Sequence, residues 1–250
     1  PWVGLDKFQE LFAGAQFGYA FRNTVYMALL NLTLGFIIPV ILGLLISQVR
    51  NKRRSRVVQT ITYMPYFVAP VVVCTLAKEF LKEGGAITMF LTMFGLPNQN
   101  WLAVNSPVFW FINCFLGIWQ GAGYGAIVYI AAINGIDQNL YEAACIDGAS
   151  RWQRLWNITI PSIVPLVVMM FTMQIGLVFM TGFDKVLLLY MPTTYEFSDC
   201  LSTYTYRMAF SSGNDFSLST ASGLLQSIIG TLLLIFGNKM SEKATKMSLF

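Results

Sequence analysis

A chain of 250 residues that is 56% hydrophobic and only 11% charged cannot cover itself with a water-compatible surface, since ordinary soluble domains carry about 25% charge. The bilayer is the solvent that takes up this apolar excess, so the predicted fold class is all-α, a polytopic transmembrane helix bundle. A net charge of +4 gives no ground for a nucleic-acid partner, and the absence of histidine excludes His-dependent triads, HExxH zinc chemistry and His-ligated haem.

Residues 1–19 are too polar to span. Leu5, Phe8 and Phe12 share a helical face, which predicts a short amphipathic helix at the membrane surface. The first predicted span is 21–48, uncharged between Arg22 and Arg50 and kinked at Pro39. The run RNKRRSR follows, a basic loop of the kind that marks a cytoplasmic connection. The second span is 57–76, with Pro65 and Pro70 inside it. Beyond it the chain is mixed, broken at Gly84 and Gly85, and 87–94 reads as interfacial or re-entrant.

The third span is 107–133. A polar stretch, 134–160, separates it from the fourth span, 161–182. Another polar stretch carries Asp184, Lys185, Glu196, Asp199, Arg207 and Asp215. The fifth span is 218–236, and a tail with Lys239, Lys243 and Lys246 closes the chain. The basic loop, 134–160 and the tail together hold ten Lys/Arg and four Asp/Glu; the remaining segments hold six and eight. The positive-inside rule therefore places the first group in the cytoplasm. Five spans then leave Pro1 outside and the C-terminus inside. The chain does not begin with Met, so part of the N-terminus is expected to be missing, and a sixth span there would return it to the cytoplasm.

Cys74, Cys114, Cys145 and Cys200 form no CxxC pair or cluster, so buried free thiols are expected rather than a disulfide scaffold or a metal site. In the third span Gly117, Gly121 and Gly125 recur every four residues, a spacing that lets membrane helices pack closely. Asn113, Gln120 and Tyr124 fall on nearly the same stripe. Gln174 and Thr181 share a face of the fourth span, with Phe183, Asp184 and Lys185 near its outer end. Polar groups within a bilayer face the bundle interior. These residues are candidates for the lining of a substrate pathway, with interhelical hydrogen bonding as the alternative. Gly121 to Ala126 matches a loose dinucleotide-binding pattern, but within an apolar span it lacks the strand and loop that pattern needs.

The stretch 134–160 reads as two short helices, 138–146 and 150–157. Gly148 permits the turn and Ser150 is a plausible N-cap for the second helix; Pro161 marks the entry of the fourth span. Leu140, Ala143 and Ala144 form a small apolar face with Glu142 and Asp147 beside it. Such a knob can dock into another protein's groove, or be an ordinary polar loop.

Glu142-Ala143-Ala144, Gly148 four residues later, then Ile158 and Ile160-Pro161 resemble the EAA loop of binding-protein-dependent ABC-importer permeases. Tyr141 and Asp147 fit the sugar-importing branch. GLDKF, TYMPYFVAP, GFDKVLLLYMP, STYTYRMAF and STASGLLQSIIG resemble segments of its oligosaccharide and polysaccharide permeases, so the likeness covers almost the whole chain. The resemblance implies a type I ABC-importer permease fold, with Glu142, Ala143, Ala144, Asp147, Gly148 and Arg151 coupling the pore to an ATPase. It implies a second homologous permease in a heterodimer, two cytoplasmic ATPase subunits and an extracytoplasmic binding protein in a bacterial cytoplasmic membrane. No GxxxxGK[ST] occurs, so ATP and Mg are expected on the ATPase subunits and no cofactor on this chain. Glycerol phosphate is the alternative cargo. An ion-driven transporter would require buried acids that the predicted spans lack.

Overall fold

The computed structural model describes residues 4–179, 182–211 and 215–245. Among them the chain is helical and contains no strand. The elements are α1 (Asp6–Ala13), α2 (Ala15–Ser47), α3 (Lys52–Phe67), α4 (Pro70–Leu81) and α5 (Ala86–Thr92). They continue with α6 (Val108–Asn134), α7 (Gln138–Ile146), α8 (Arg151–Leu177), α9 (Phe183–Leu189), α10 (Leu201–Phe210) and α11 (Phe216–Thr245). By length and apolarity α2, α6, α8 and α11 can each cross a bilayer. α3 and the α4–α5 segment form a further apolar pair bent by 91°, which makes five spans if the pair crosses as one.

Proline chemistry explains where helices bend. The residue before a proline is pushed to extended backbone. Ala69 sits at φ −57°, ψ 138°, so Pro70 opens a new helix and the predicted second span is interrupted there. Inside α2 and α8 the prolines are absorbed differently. A π turn at Asn31–Gly35 precedes Pro39, and another at Leu155–Thr159 precedes Pro161. Each proline withholds an amide, and the wider turn makes room for the ring. Nearby side chains bond back to carbonyls of the preceding turn: Asn31 Nδ2 donates to Met27 O (2.9 Å) and Ser162 Oγ to Ile158 O (2.7 Å). As a result α8 runs unbroken from Arg151. Pro161 lies two residues beyond a π turn rather than at a helix start, and the predicted second loop helix is the first part of α8.

Two further expectations change. The helix α1 buries Leu11, while Leu5 and Phe12 are exposed. Its face is set by docking against α11, where Lys7 pairs with Asp215 (3.5 Å). Asp215 caps α11, and the Leu218 N–H, ahead of Lys7, holds its carboxyl below the usual range. All four cysteines are free, but Cys145 is exposed on α7 while Cys74, Cys114 and Cys200 are buried.

Lipid is as apolar as leucine, so helices in a bilayer associate through close packing and hydrogen bonds. Glycines supply the closest approaches. A Cβ on Gly43 would lie 3.0 Å from Tyr129 Cβ, one on Gly125 3.3 Å from Pro39 Cβ, and one on Gly123 1.9 Å from Thr62 O. The first two bring α2 against α6, and the third brings α3 against α6. The tightest packing glycine therefore lies off the 117/121/125 stripe. Of that stripe Gly125 alone is tightly packed; a Cβ on Gly117 would meet only Lys185 Nζ, at 3.8 Å, and one on Gly121 would find nothing within 4 Å. Gly176 and Gly230 likewise seat α11 against α8, running antiparallel.

At the end of the bundle away from the basic loop, a buried polar network replaces lipid-like packing. Asn23 of α2 donates to Glu196 O (3.0 Å) and Asp199 O (2.9 Å). Asp199, 1% exposed, pairs with Arg207 and accepts from Thr203 Oγ1 (2.6 Å). Arg207 also reaches Gln16 Oε1 (3.1 Å) and lies over the Tyr195 ring. Arg22 sits inside α2 rather than ahead of it, donating to Glu196 O (2.6 Å) beneath the Phe197 ring.

Two stability tests follow from these contacts. Gly123→Ala should sharply reduce folded protein in detergent, judged by size-exclusion recovery and melting temperature, whereas Gly121→Ala should melt like the native chain. Arg207→Met leaves the Asp199 carboxylate buried and unpaired, a loss of about 3–5 kcal/mol. The double variant Asp199→Asn/Arg207→Met should melt higher than Arg207→Met alone.

Candidate coupling loop and transport cavity

The element 137–154 is built by local rules. Asp137 caps α7 by accepting from the Asn139 N–H (2.9 Å). At its other end the Ala149 N–H reaches Ala144 O (2.9 Å) and the Gly148 N–H reaches Cys145 O (3.1 Å). This double bond pattern closes a helix with a left-handed residue, normally glycine; Gly148 has φ +76°. Ser150 then caps α8 in a reciprocal box with Gln153: Ser150 N–H to Oε1 (2.7 Å), Gln153 N–H to Oγ (3.3 Å). The turn between α7 and α8 is thus specified on both sides.

One side chain ties this element to the bundle. Tyr141 OH and Thr159 Oγ1 are 2.8 Å apart, linking α7 to the π turn of α8. Glu142, Ala143, Asp147 and Gly148 are exposed and Ala144 is half-buried. Around them Ile146 is 87% and Trp152 69% exposed. Neither Glu142 nor Asp147 enters a salt bridge among the described residues. The outward face therefore combines unpaired carboxylates, small residues and bare apolar side chains. Behind it lies a cavity of ≈ 510 Å³ whose lining includes Arg50, Asn134, Tyr141, Arg151, Arg154 and Thr159. It joins the basic loop to α7 and α8 at one end of the bundle. Arg151 contributes to this basin as well as to the exposed surface. Of these residues the sequence singled out Arg151 as a coupling residue; Arg154 and Thr159 carry no local pattern that marks them.

A second cavity, of ≈ 440 Å³, lies between α2, α6 and α8. Its lining includes Asn31 and Gly35 of the α2 π turn, Asn113, Gly117 and Gly121 of α6, Gln174 of α8, and Lys185 of α9. Irregular backbone is tolerated at membrane depth where it lines a cavity, and the π turn sits there. Gln174 Nε2 reaches Asn31 O at 3.4 Å across it.

The structure brings together Asn113 and Gln174 of the predicted pathway residues and separates the others. Gln120 is buried and donates to Val68 O (2.7 Å), satisfying the carbonyl exposed where α3 ends. Tyr124 stacks on Tyr66, with ring centroids 3.9 Å apart and planes within 4°. At about 100° per residue Gln120 and Tyr124 share a narrow arc of α6 with Asn113, at the edge of the cavity face, and at their depth that edge meets Val68 and Tyr66 instead of the cavity. Phe183 packs edge-on to Tyr206 (5.5 Å), and Asp184 is exposed; neither lines the cavity. Thr181 lies outside the described residues. Lys185, one position beyond Asp184, lines the cavity, whereas the sequence placed it only near the outer end of the fourth span. The half-turn of α9 after Gly182 (φ +92°) directs it inward.

A family model described as binding-protein-dependent transport system inner membrane component matches residues 35–246. The polygalacturonan/rhamnogalacturonan transport system permease protein YteP of Bacillus subtilis is 36% identical over 243 residues, 97% of this chain and 75% of that protein. Protein LplB of the same organism is 34% identical over 251 residues, covering 100% of this chain and 78% of that protein. Among solved structures, a chain of the bacterial alginate ABC transporter in complex with alginate pentasaccharide-bound periplasmic protein matches with a TM-score of 0.92 and 38% identity. The match covers 99% of this chain and 85% of that chain. With the apolar helical bundle and the α7–α8 element, these matches place the chain plainly: it belongs to the family of inner membrane components of binding-protein-dependent transport systems, the permease subunits of ABC importers.

Proposed function

We propose that this permease imports an oligosaccharide or a polysaccharide fragment, driven by ATP hydrolysis on separate subunits. The observation that carries the coupling half is the α7–α8 element. It is rigidly capped, tethered through Tyr141 to Thr159, and exposed on its outer face. A surface of that kind suits insertion into a groove on an ATPase, with Glu142, Ala143, Ala144, Asp147, Gly148 and Arg151 at the contact. The cargo half is supported by the relatives, whose names specify pectin-type polymers and alginate.

In this reading the basic end of the bundle, with the coupling element and the C-terminus, faces the cytoplasm of a bacterial cell, as the Lys/Arg count favours. Two ATPase subunits hold ATP and Mg, and this chain holds no cofactor. A second homologous permease, different in sequence, completes the pathway, and an extracytoplasmic binding protein delivers the sugar to the opposite end. Closure of the ATPases pulls α7 inward. Because α7 is bonded to the start of α8, the pull passes along α8 to Gln174 at the cavity. Rigid-body rocking then exposes the cavity alternately to the two sides.

Gly148 provides the test. Any other residue there must adopt a left-handed backbone, at about 1–3 kcal/mol, although no neighbouring atom lies within 4 Å of its Cβ position. In proteoliposomes containing all subunits, sugar-loaded binding protein should stimulate ATP hydrolysis by the native complex. Gly148→Val combined with Glu142→Ala should reduce that stimulation about 5–150-fold. Normal stimulated hydrolysis in this variant would refute the coupling role, and a native complex that responds to no saccharide would refute the cargo.

A further inference from the structure

The cavity between α2, α6 and α8 holds one formal charge. Lys185 lines it, and no Asp or Glu does. None of the salt bridges among the described residues includes Lys185. The ammonium reaches across to α6, where Nζ lies 3.8 Å from the position a Cβ on Gly117 would take. The missing side chain at Gly117 leaves the space beside that charge open.

A second polar group waits in the same cavity. Asn113 is 6% exposed, and its Nδ2 has only the Met27 sulfur at 3.5 Å. Its Oδ1 is buried with no hydrogen-bond partner. A buried amide oxygen without a donor costs free energy, and so does an unpaired charge in a low-dielectric site. The charge's cost is removed by an occupant that brings an anion to Lys185, and the Asn113 amide lines the same cavity beside it. A neutral sugar supplies a hydroxyl for that amide but no anion, while glycerol phosphate supplies both but is set aside by the saccharide reading above. A uronic-acid unit supplies both from one ring.

Building on the import reading above, we propose that the cargo is a carboxylate-bearing oligosaccharide and that Lys185 is the residue that reads its charge. Asn113 and Gln174 hold its hydroxyls, and Gly117 and Gly121 leave open wall beside it. Lys185 donates to the carboxylate as a point charge on a flexible stem, so it can follow successive uronate units as the chain slides past.

The test uses the complete reconstituted importer with its binding protein. Uptake of trigalacturonate is compared with uptake of its fully methyl-esterified form, which keeps the ring and loses the charge. For each sugar the ratio of variant to native uptake cancels the binding protein's own preference. Lys185→Met should lower trigalacturonate uptake about tenfold more than uptake of the ester, and Lys185→Arg should restore most of the difference. Asn113→Leu should lower uptake of both sugars alike. Equal loss of both sugars in Lys185→Met, or no loss of either, would overturn the charge-reading role. A native complex that imports the ester and neutral trisaccharides but no uronide would overturn the acidic cargo and leave sugar import standing. A native complex that imports glycerol phosphate and no saccharide would overturn the import reading on which the inference rests.

Discussion

Every amide in an apolar span must find its partner within the protein, because hydrocarbon offers none. That requirement organises this chain more than any single contact. It makes every apolar span among the described residues helical, and it sets named side chains at the departures from the helix. Pro39 and Pro161 are accommodated by π turns, with Asn31, Thr33 and Ser162 bonding back to carbonyls. The break at Val68 is closed by Gln120 from a different helix. The irregular stretch of α2 is also the one that borders the cavity, so the backbone's difficulty and the site's position coincide.

The same long helices join the two ends of the molecule. α6 carries Asn113, Gly117 and Gly121 at the inner cavity and Asn134 at the basic basin. α8 begins under the coupling element, is bonded to it through Thr159, and reaches Gln174 beside Lys185. A displacement of α7 therefore has a continuous, hydrogen-bonded route to the cavity walls. At the opposite end, the Asp199–Arg207 pair and Asn23 hold the 183–210 excursion onto α2. The part of the chain that delivers Lys185 is thereby anchored on both sides.

The matched family and the solved relative concern the whole chain, whereas the site arguments concern a few residues. Gly148 illustrates the distinction. Its place in the EAA resemblance says that it matters; its φ of +76° between two capped helices says why. Gly123 illustrates the converse. It belongs to no functional motif, yet it permits the closest helix approach among the glycines described.

Much was legible in the sequence because it depends on composition and local rules. Apolar excess dictated a membrane bundle, and lone prolines and paired glycines marked its breaks. Asp137, Gly148 and Ser150 set the ends of the coupling helices, since capping needs only residues within about five positions of one another. What the linear pattern could not decide was which side of α6 faces a void. Asn113, Gln120 and Tyr124 lie within a narrow arc on an ideal wheel, but the end of α3 covers that arc at Gln120 and Tyr124, so only Asn113 reaches the cavity. Nor could it show that α8 continues back through Pro161, because a π turn stores no signature in residue type. The buried Asp199–Arg207 pair lay in a stretch that read as merely polar, and Lys185 read as a charge at a helix end. Burial and orientation are properties of the assembled helices, so tertiary packing alone turned those charges into an anchor and a cavity cation.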